Sequence, residues 1–258
     1  MIKIAFSFDD GRMDNYYVAK EILKPRNIKA SFNITSGYVM NEINDKDKPS
    51  EHIPMTFNQL NELYHDDLFE IAGHGYLHNN NHQNLIFGNN HLKKILNDKS
   101  DIVGIASPHS EFDLNSLEKF KEICKKNDIK YLRTSYFFKS NSFYYRALRK
   151  INRKLNIPQL FYYVYKNSNV KQNDTFLFHS VGIIKDTKLK EIKYLVTKAI
   201  EEDKNFILMF HSILEHNEKF YDDLFSWDRN DFIELCDFLV GLQKNKKIEI
   251  CKVKDFIR

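Results

Sequence analysis

Short apolar runs alternate along the chain with longer stretches in which apolar residues recur every three or four positions. A short apolar run closed by a turn residue predicts a buried strand, and the three-to-four spacing predicts a helix with one apolar face. Strands are predicted at residues 2–8, 28–34, 68–72, 102–106, 130–133, 176–179, 206–211 and 248–251. Helices are predicted at residues 15–23, from 56 onward, and at 91–96, 117–124, 189–200 and 232–242.

Local signals locate some of the helix ends. Asp14 is the predicted N-cap of the first helix, and Pro25 is its predicted stop. Thr56 and Gln59 have the spacing of a capping box at the start of the next helix. The Asn-rich segment 79–90 is expected to be irregular.

Repeated strand–helix units are typical of a parallel sheet covered by helices, which predicts an α/β protein. Seven or eight such units within 258 residues favour a (β/α) barrel, seven- or eight-stranded, over an open sheet. We therefore expect a single domain over residues 1–258, with its chemistry at the carboxyl ends of the strands.

Two adjacent carboxylates, Asp9 and Asp10, directly follow the first predicted strand. Desolvating two charges behind a buried strand is unfavourable unless something compensates them, and a metal ion is the obvious candidate. His74 and His78 follow the third predicted strand and are four residues apart. On one helical turn they would share a face and could close on a single ion.

Three further histidines, His109, His179 and His211, fall at or just beyond predicted strand ends. Parallel strands bring their carboxyl ends to one edge, so these side chains are candidates for acid–base chemistry beside the carboxylates. The Phe-His-Ser sequence around His179 repeats the one around His211. His179 is therefore either a rival for the acid role, a pocket residue or a structural residue.

Composition excludes some classes of function. The formal charge of +4, with no recognisable recognition motif, argues against nucleic acid as a partner. Three cysteines in apolar surroundings indicate core residues of a reducing compartment rather than a disulfide framework. We find no signal peptide and no apolar run that approaches the length of a membrane span, so we expect a cytoplasmic protein.

Several of these residues lie in motifs that resemble those of the polysaccharide deacetylases of the NodB-homology type, carbohydrate esterase family 4. Residues 6–11, FSFDDG, look like the first motif of that family, and residues 74–78, HGYLH, resemble its H-[ST]-x-x-H motif. Residues 30–32, ASF, are similar to its second strand, and residues 105–110 and 207–211 to its third and last motifs. The resemblance covers nearly the whole chain in the order of the family.

The resemblance implies a metal-dependent hydrolase that removes an N-acetyl group from an amino sugar, in the biosynthesis of surface polysaccharide or lipopolysaccharide. Carried over, the metal ligands are Asp10, His74 and His78, and the ion is expected to be zinc. Asp9 is the implied general base, and His211 is the implied acid that protonates the departing amine. The backbone N–H of His109 takes the place of the oxyanion donor.

Two departures from the family pattern concern catalysis. The arginine that holds the base aspartate in the family falls at Ala106, which has no charge. We predict that Arg133, at the next strand end, reaches the Asp9 carboxylate with two parallel hydrogen bonds. His109 presents an imidazole where the family has a phenol, and Gly75 stands where Ser or Thr is usual.

Two alternatives to N-deacetylation stay open. One is hydrolysis of another amide C–N bond, such as that of a formamide, on the same metal site. The other is a catalytically inactive glycan-binding module that keeps the barrel and its pocket. Ala106 and His109 are the residues that leave the second alternative open.

Residues 137–173 form an insertion that mixes aromatic and cationic side chains. Pro158 is expected to split it into two helices. The simplest interpretation is that its aromatic residues pack on the barrel. A second is a lid or a surface for an anionic membrane, which would place the protein at the inner membrane face. The sugar could then be nucleotide-linked, lipid-linked or polymeric.

Overall fold

A computed structural model describes residues 1–97, 101–110, 112–135, 143–171 and 176–257. The strands are β1 Ile2–Phe8, β2 Ala30–Ile34, β3 Phe69–Gly73, β4 Gly104–Ala106, β5 Tyr131–Ser135, β6 Asn169–Val170, β7 Leu177–Gly182, β8 Asn205–Phe210, β9 Ser212–Leu214, β10 Ser226–Asp228 and β11 Ile248–Cys251. The helices are α1 Met13–Tyr17, α2 Ser36–Val39, α3 Phe57–Tyr64, α4 His82–Ile95, α5 Leu117–Lys126, α6 Phe143–Leu155, α7 Pro158–Tyr165, α8 Leu189–Glu201 and α9 Arg229–Lys244.

Seven parallel strands close into a barrel in the order β1, β2, β3, β4, β5, β7 and β8, and β8 pairs with β1. This confirms the predicted (β/α) barrel and selects seven strands. The edge of β1 that faces away from β8 has two partners. Residues 2–5 of β1 pair with β11, and residues 6–8 pair with β2. The last strand therefore fills the gap between β1 and β2 at the amino end of the barrel.

Alternating positions of β1 face the helices and the barrel interior, as the two-residue period of a strand requires. Phe6 and Phe8 point outward and pack on Phe232 of α9. Their ring centroids lie 5.6 and 5.9 Å, respectively, from that of Phe232. Ser7 points inward, where it meets Asn33 of β2. The large apolar cluster thus lies between the barrel and its helices.

The interior of the barrel contains polar residues from its amino end to its carboxyl end. Ser7, Ser31, Asn33, Glu70, Arg133 and Ser180 are all buried there. The turn Val253–Phe256 covers the amino end, where its first two N–H groups bond to Ser31 and Glu70. The opposite end, at the carboxyl ends of the strands, holds the residues singled out from the sequence.

Local signals were partly right. The capping box is present, because Gln59 N–H donates to Thr56 Oγ1 at 3.3 Å and Thr56 N–H to Gln59 Oε1 at 2.8 Å. Asp14 is not an N-cap. The first helix begins at Met13 with Arg12 as its N-cap, and it continues as a π-helix over Val18–Leu23.

The Asn-rich segment is the clearest error in the predicted elements. It contains most of α4, which begins at His82 with Asn81 capping Gln83 N–H at 2.9 Å, where an irregular segment was predicted. Asparagine weakens a helix interior but favours an N-cap, so its abundance concealed the apolar positions Leu85 and Leu92 that are buried. Two short paired strands, β9 and β10, were not predicted.

The insertion contains two helices, α6 and α7, and Pro158 is the first residue of the second. Residues 137–142 and 172–173 of the predicted insertion lie outside the described residues. Among the helices that the structure describes, none combines the length and the apolar character needed to cross a bilayer.

Candidate metal centre and active site

The predicted site residues come together at the carboxyl end of the barrel. Asp9 continues the ladder of β1, since its N–H donates to the Phe210 carbonyl at 3.0 Å. His74 continues β3, since its N–H donates to the Ile34 carbonyl at 2.9 Å. His211 directly follows β8. The strand ladders therefore fix the backbone of these residues.

Asp10, His74 and His78 form a compact group. One ligand atom from each lies within 4.8 Å of the others. His74 Nε2 and His78 Nε2 are 3.4 and 3.3 Å from Asp10 Oδ1. The Asp10 and His74 side chains are nearly inaccessible, while that of His78 is 10% exposed on the open side.

The hydrogen bonds around this group fit a divalent cation. His74 Nδ1 lies 2.9 Å from the Ala106 carbonyl, which can only accept, so the neutral ring carries its proton on Nδ1 and directs a lone pair from Nε2. Asp10 Oδ1 is buried and has no hydrogen-bond partner among the described residues. Asp10 Oδ1 and the Nε2 lone pair of His74 thus face the same point, as a cation requires, and one carboxylate with two imidazoles is a common donor set for zinc.

The two histidines are not on one helical turn, so that part of the sequence interpretation is wrong. They lie in an irregular loop between β3 and α4. Gly75 has φ +78°, and a Cβ there would come within 2.6 Å of the Asn84 side chain. This explains glycine at a position where the family has Ser or Thr, because an L side chain would be strained and crowded there.

Three residues of the site have left-handed backbone. Asp10, His78 and His109 have φ of 80°, 52° and 53°. Each such residue is strained by about 1 kcal/mol or more and persists only where surrounding contacts hold it. The side chains of the site are therefore aimed by a backbone that its neighbours must stabilise.

Asp9 is buried and lies between two donors. Asn33 Nδ2 donates to Asp9 Oδ1 at 2.8 Å, and Arg133 Nη2 donates to the same oxygen. Burial by itself would raise the pKa of Asp9, but the charge and hydrogen bond of Arg133 are the main effects that lower the pKa below its usual range. The carboxylate is thus held ionised.

Arg133 lies inside the barrel and reaches Asp9, as predicted, but the expected pair of parallel hydrogen bonds is wrong. Only Nη2 contacts Asp9. Nη1 lies 2.8 Å from Met209 Sδ and 3.4 Å from Ser180 Oγ. Nη1 therefore contacts residues of β7 and β8 instead of the Asp9 carboxylate.

Arg12 is a site residue that the sequence reasoning missed. Its Nε and Nη2 donate to Asp10 Oδ2 at 2.9 and 2.6 Å, and the side chain is 4% exposed. Burial would raise the pKa of Asp10, yet Arg12 and the two histidines lower it well below its usual range. Its position directly after Asp-Asp-Gly was the signal available in the sequence.

His211 lies beside the two aspartates at the carboxyl end of β8. Burial lowers its pKa to about 4, and the charges of Asp10 and Asp9 offset only part of that effect. Its backbone carbonyl accepts from Asn15 Nδ2 at 2.6 Å. Its Nδ1 finds no hydrogen-bond partner in the part of the chain that the structure describes.

His109 and His179 lie in different places. His109 is exposed in the turn Pro108–Ser110, and its ring centroid is 4.5 Å from that of His78. His179 lies one residue before Ser180, which contacts Arg133 inside the barrel, so its side chain is on the outer face of β7. There its Nδ1 is 3.2 Å from Thr134 Oγ1. The structure does not bring His179 to the site.

No protein-family model matches the chain, and no curated protein matches it. Among solved structures, the Bc1960 peptidoglycan N-acetylglucosamine deacetylase covers 99% of this chain and 87% of its own, at a TM-score of 0.50 and 16% identity. IcaB from Ammonifex degensii covers 50% of this chain, at a TM-score of 0.40 and 20% identity. A carbohydrate esterase family 4 pseudoenzyme from Bacillus anthracis, BA3943, covers 81%, at a TM-score of 0.39 and 15% identity.

The chain spans 57% of the length of IcaB and 63% of that of BA3943. At these identities the similarity concerns the fold. The resemblance to NodB-type polysaccharide deacetylases is confirmed at that level, since the seven-stranded parallel barrel is shared over almost the entire chain with the Bc1960 deacetylase.

Proposed function

We propose that the protein is a metal-dependent hydrolase that removes the N-acetyl group of an amino sugar. The observation that carries this proposal is the convergence of Asp10, His74 and His78 on one point, with Asp9 and His211 beside them. The barrel shared with a peptidoglycan N-acetylglucosamine deacetylase supports the choice of substrate class. Because β1 pairs with β11, we also propose that residues 1–258 work as one domain.

Asp10 Oδ1, His74 Nε2 and His78 Nε2 would hold the ion, and zinc is the metal that this donor set favours. A divalent ion bound there would polarise the amide carbonyl and lower the pKa of a water molecule toward about 7. Because the protein would supply only three ligands, a coordination position would stay open for water or substrate. The partly exposed His78 marks the side from which substrate would arrive.

Asp9 is suited to act as the general base. Arg133 and Asn33 keep it ionised and fix one of its oxygens, so the other can accept a proton from the attacking water. A single positioned base contributes about 100- to 10,000-fold to the rate. The charge that the family places at the Ala106 position comes here from Arg133, which removes one reason to suspect an inactive module.

His211 is proposed to protonate the amine as it leaves. A pKa of about 4 keeps the free imidazole neutral at pH 7, so the proton that it donates must be gained during turnover. The proton taken up by Asp9 on the same side of the barrel is the nearest source. The backbone N–H of His109, in an exposed turn beside His78, would face the developing oxyanion.

The described part of the insertion supports contact with an anionic membrane. On α6, Phe143, Tyr144, Ile151 and Leu155 are 46–83% exposed. Four cations, Arg146, Lys150, Arg153 and Lys154, are exposed among them, and no Asp or Glu occurs between residues 137 and 173. Exposed apolar groups surrounded by cations are typical of helices that lie on anionic bilayers.

This surface lies toward the same end of the barrel as the site. Asn152 of α6 donates to Glu191, in the first turn of α8, at 2.5 Å. Arg149 of α6 lines one small cavity with Thr187, in the segment that follows β7. We therefore propose that the substrate is lipid-linked and that the protein works on the cytoplasmic face of a membrane, which the three buried free cysteines also favour.

The membrane proposal is tested by co-sedimentation with vesicles of neutral lipid and of neutral lipid mixed with phosphatidylglycerol. We expect binding only to the anionic vesicles, and weaker binding at high salt. The double change Ile151→Asp and Leu155→Asp should abolish it, whereas Phe87→Asp, at a residue 55% exposed on α4, should not. Equal binding to neutral vesicles, or no binding, would refute the proposal.

The catalytic proposal is tested by acetate release from a panel of nucleotide-linked, lipid-linked and polymeric N-acetyl sugars, with and without chelator. Release that disappears with chelator and returns with zinc is the expected result. Formamide substrates in the same panel test the other amide hydrolase. Sugar binding without release from any substrate would favour the glycan-binding module.

A further inference from the structure

The second buried arginine of the site, Arg12, contacts the residue that we assign as a metal ligand. It approaches Asp10 with two nitrogens and places both on one oxygen, with Nε at 2.9 Å and Nη2 at 2.6 Å from Oδ2. Both side chains are almost inaccessible to water, at 4% and 2% exposure. Water therefore cannot replace Arg12 as the donor to that oxygen.

The third nitrogen of Arg12 contacts the segment that contains His211. Nη1 donates to Ser212 Oγ at 2.8 Å, and Ser212 directly follows the proposed acid His211. Two neighbours of Arg12 reinforce this link. Asn15 Nδ2 donates to the His211 carbonyl at 2.6 Å, and the Ile213 N–H donates to Asp14 at 3.2 Å. The guanidinium is thus fixed at three nitrogens.

This arrangement leaves the two oxygens of Asp10 unequal. Oδ2 is occupied by Arg12, while Oδ1 has no hydrogen-bond partner among the described residues and lies 3.3–3.4 Å from two imidazole nitrogens. The backbone of Asp10 is left-handed, at φ 80°, so contacts from other residues must hold it in place. The two bonds from Arg12 to Oδ2 leave Oδ1 directed at the imidazoles.

We propose that Arg12 is a positioning residue that restricts Asp10 to binding the metal ion through one oxygen. The inference rests on the metal site of the proposed function. A guanidinium does this because its planar fork places two donors on Oδ2 and a third on Ser212. A lysine would keep the charge but could not make the three bonds together.

Charge and geometry make opposite predictions for metal affinity. If Arg12 acted only as a positive charge near the ion, its removal would tighten metal binding by relieving repulsion. If it orients the ligand, its removal weakens binding, and changes to groups that orient metal ligands typically weaken metal affinity about 10- to 100-fold. The sign of the effect therefore separates the two roles.

The test measures zinc affinity of the full chain by competition with a chromophoric chelator, for wild type, Arg12→Lys and Arg12→Met. Both variants should bind about 10- to 100-fold more weakly. Ser212→Ala, which removes only the Nη1 contact, should lose less than either. Arg26→Met is the matched control. Arg26 pairs with the exposed Asp237 and not with a residue of the site, so this change should leave zinc affinity unchanged.

A second readout does not depend on affinity. Cobalt(II) bound in place of zinc should show a weaker visible absorption in Arg12→Met, because a carboxylate released to bind through both oxygens raises the coordination number. Circular dichroism of Arg12→Lys without metal should match wild type, and its thermal unfolding should remain cooperative, because the buried charge is retained.

The outcomes are distinguishable. Wild-type affinity in Arg12→Lys, or tighter binding in Arg12→Met, would overturn the positioning role. If wild type itself binds no zinc, the proposed function fails instead. If Arg12→Met does not fold, Arg12→Lys and Ser212→Ala still decide the question, because weakened binding in both supports the proposal and unchanged binding in both rejects it.

Discussion

The two ends of the barrel each bury a carboxylate, but they satisfy it differently. At the closed end, Glu70 accepts from Ser31 Oγ at 2.5 Å, from Tyr131 Oη at 2.9 Å and from the Lys254 N–H at 3.0 Å. At the open end, Asp10 has two hydrogen bonds on Oδ2 and none on Oδ1 within the described chain. Both carboxylates are buried to the same extent.

The difference suggests a way to distinguish a structural carboxylate from a candidate metal ligand. Three donors satisfy Glu70, and no positive charge is among them, so burial raises its pKa. Arg12 compensates the charge of Asp10 but leaves one oxygen directed at two imidazoles. A buried polar atom left without a partner is unfavourable, and it is retained at a site where a ligand can satisfy it.

The backbone around the two carboxylates also differs. At the closed end, Ser31 and Glu70 lie within strands, and both bond to the turn that covers the barrel. At the open end, Asp10, His78 and His109 are left-handed. The residues around Glu70 are therefore held by regular strands, whereas those around Asp10 keep a strained backbone that surrounding contacts must hold.

The largest effect is expected from His78→Ala. Two remaining ligand atoms cannot close around an ion, so zinc should fall from about one per chain to near zero, and acetate release should fall with it. Elemental analysis after gel filtration measures the loss. His91→Ala is the matched control, because His91 lies near Glu42 at 3.7 Å and outside the ligand group. Full zinc content in His78→Ala would remove it from the site.

Asp9→Asn should abolish most turnover and leave the metal in place. The amide cannot accept the proton of the attacking water, so the rate should fall about 100- to 10,000-fold. Asp9 is not among the three proposed ligands, so zinc content should match wild type. A variant that keeps its rate, or that loses its zinc, would contradict the division of roles between the two aspartates.

Glu70→Ala tests the closed end. It leaves the Ser31, Tyr131 and Lys254 donors without their acceptor, and the free energy of unfolding should fall by about 3 kcal/mol in urea titrations. Zinc affinity should be unchanged. Glu62→Ala, at an acid half-exposed to solvent and paired with Lys20, should change stability by less than about 0.5 kcal/mol. Altered zinc affinity in Glu70→Ala would mean that the two ends are coupled.

The smallest effect concerns His52, which lies at the open end beside Ser212 and Asp223. Burial and the charge of Arg12 lower its pKa to about 4. Between pH 6.5 and 4 the unfolded chain therefore binds a proton that folded His52 does not, so stability falls as the pH falls.

His52→Gln should remove that part of the acid dependence. The difference in unfolding free energy between wild type and variant should change by about 2 kcal/mol between pH 7 and pH 4.5. His211 shares the downward shift and Asp14, whose pKa burial raises to about 6, has the opposite dependence. Both groups are present in both proteins, so the comparison isolates His52. Parallel pH curves would show that the His52 environment is open to water.

Much of the open end could be predicted from sequence because its residues are arranged along the chain in a simple way. Asp9, His74 and His211 each follow an apolar run, and a parallel barrel brings the ends of such runs together. The contact between Arg133 and Asp9 was also predictable, since a missing charge at Ala106 required a cation from a neighbouring strand end.

The closed end was not predicted. Ser31 and Glu70 lie in apolar strands with no nearby partner in sequence, and their hydrogen bonds join residues 39 and 184 positions apart. Asn33 escaped notice for the same reason, since its partner Asp9 is 24 residues away. Sequence periodicity identifies which residues are buried, but it does not identify which buried polar groups meet.

The sequence by itself determined the alternation of strands and helices, the barrel that follows from it, and the set of carboxylates and histidines at the strand ends. Those features depend on local periodicity and on the geometry of parallel strands. Only the tertiary structure decided that Arg12 holds Asp10, that Arg133 uses one nitrogen on Asp9, and that His179 faces away. The physical reason is that hydrogen bonds between buried side chains depend on distances of a few tenths of an ångström, which only the packed barrel defines.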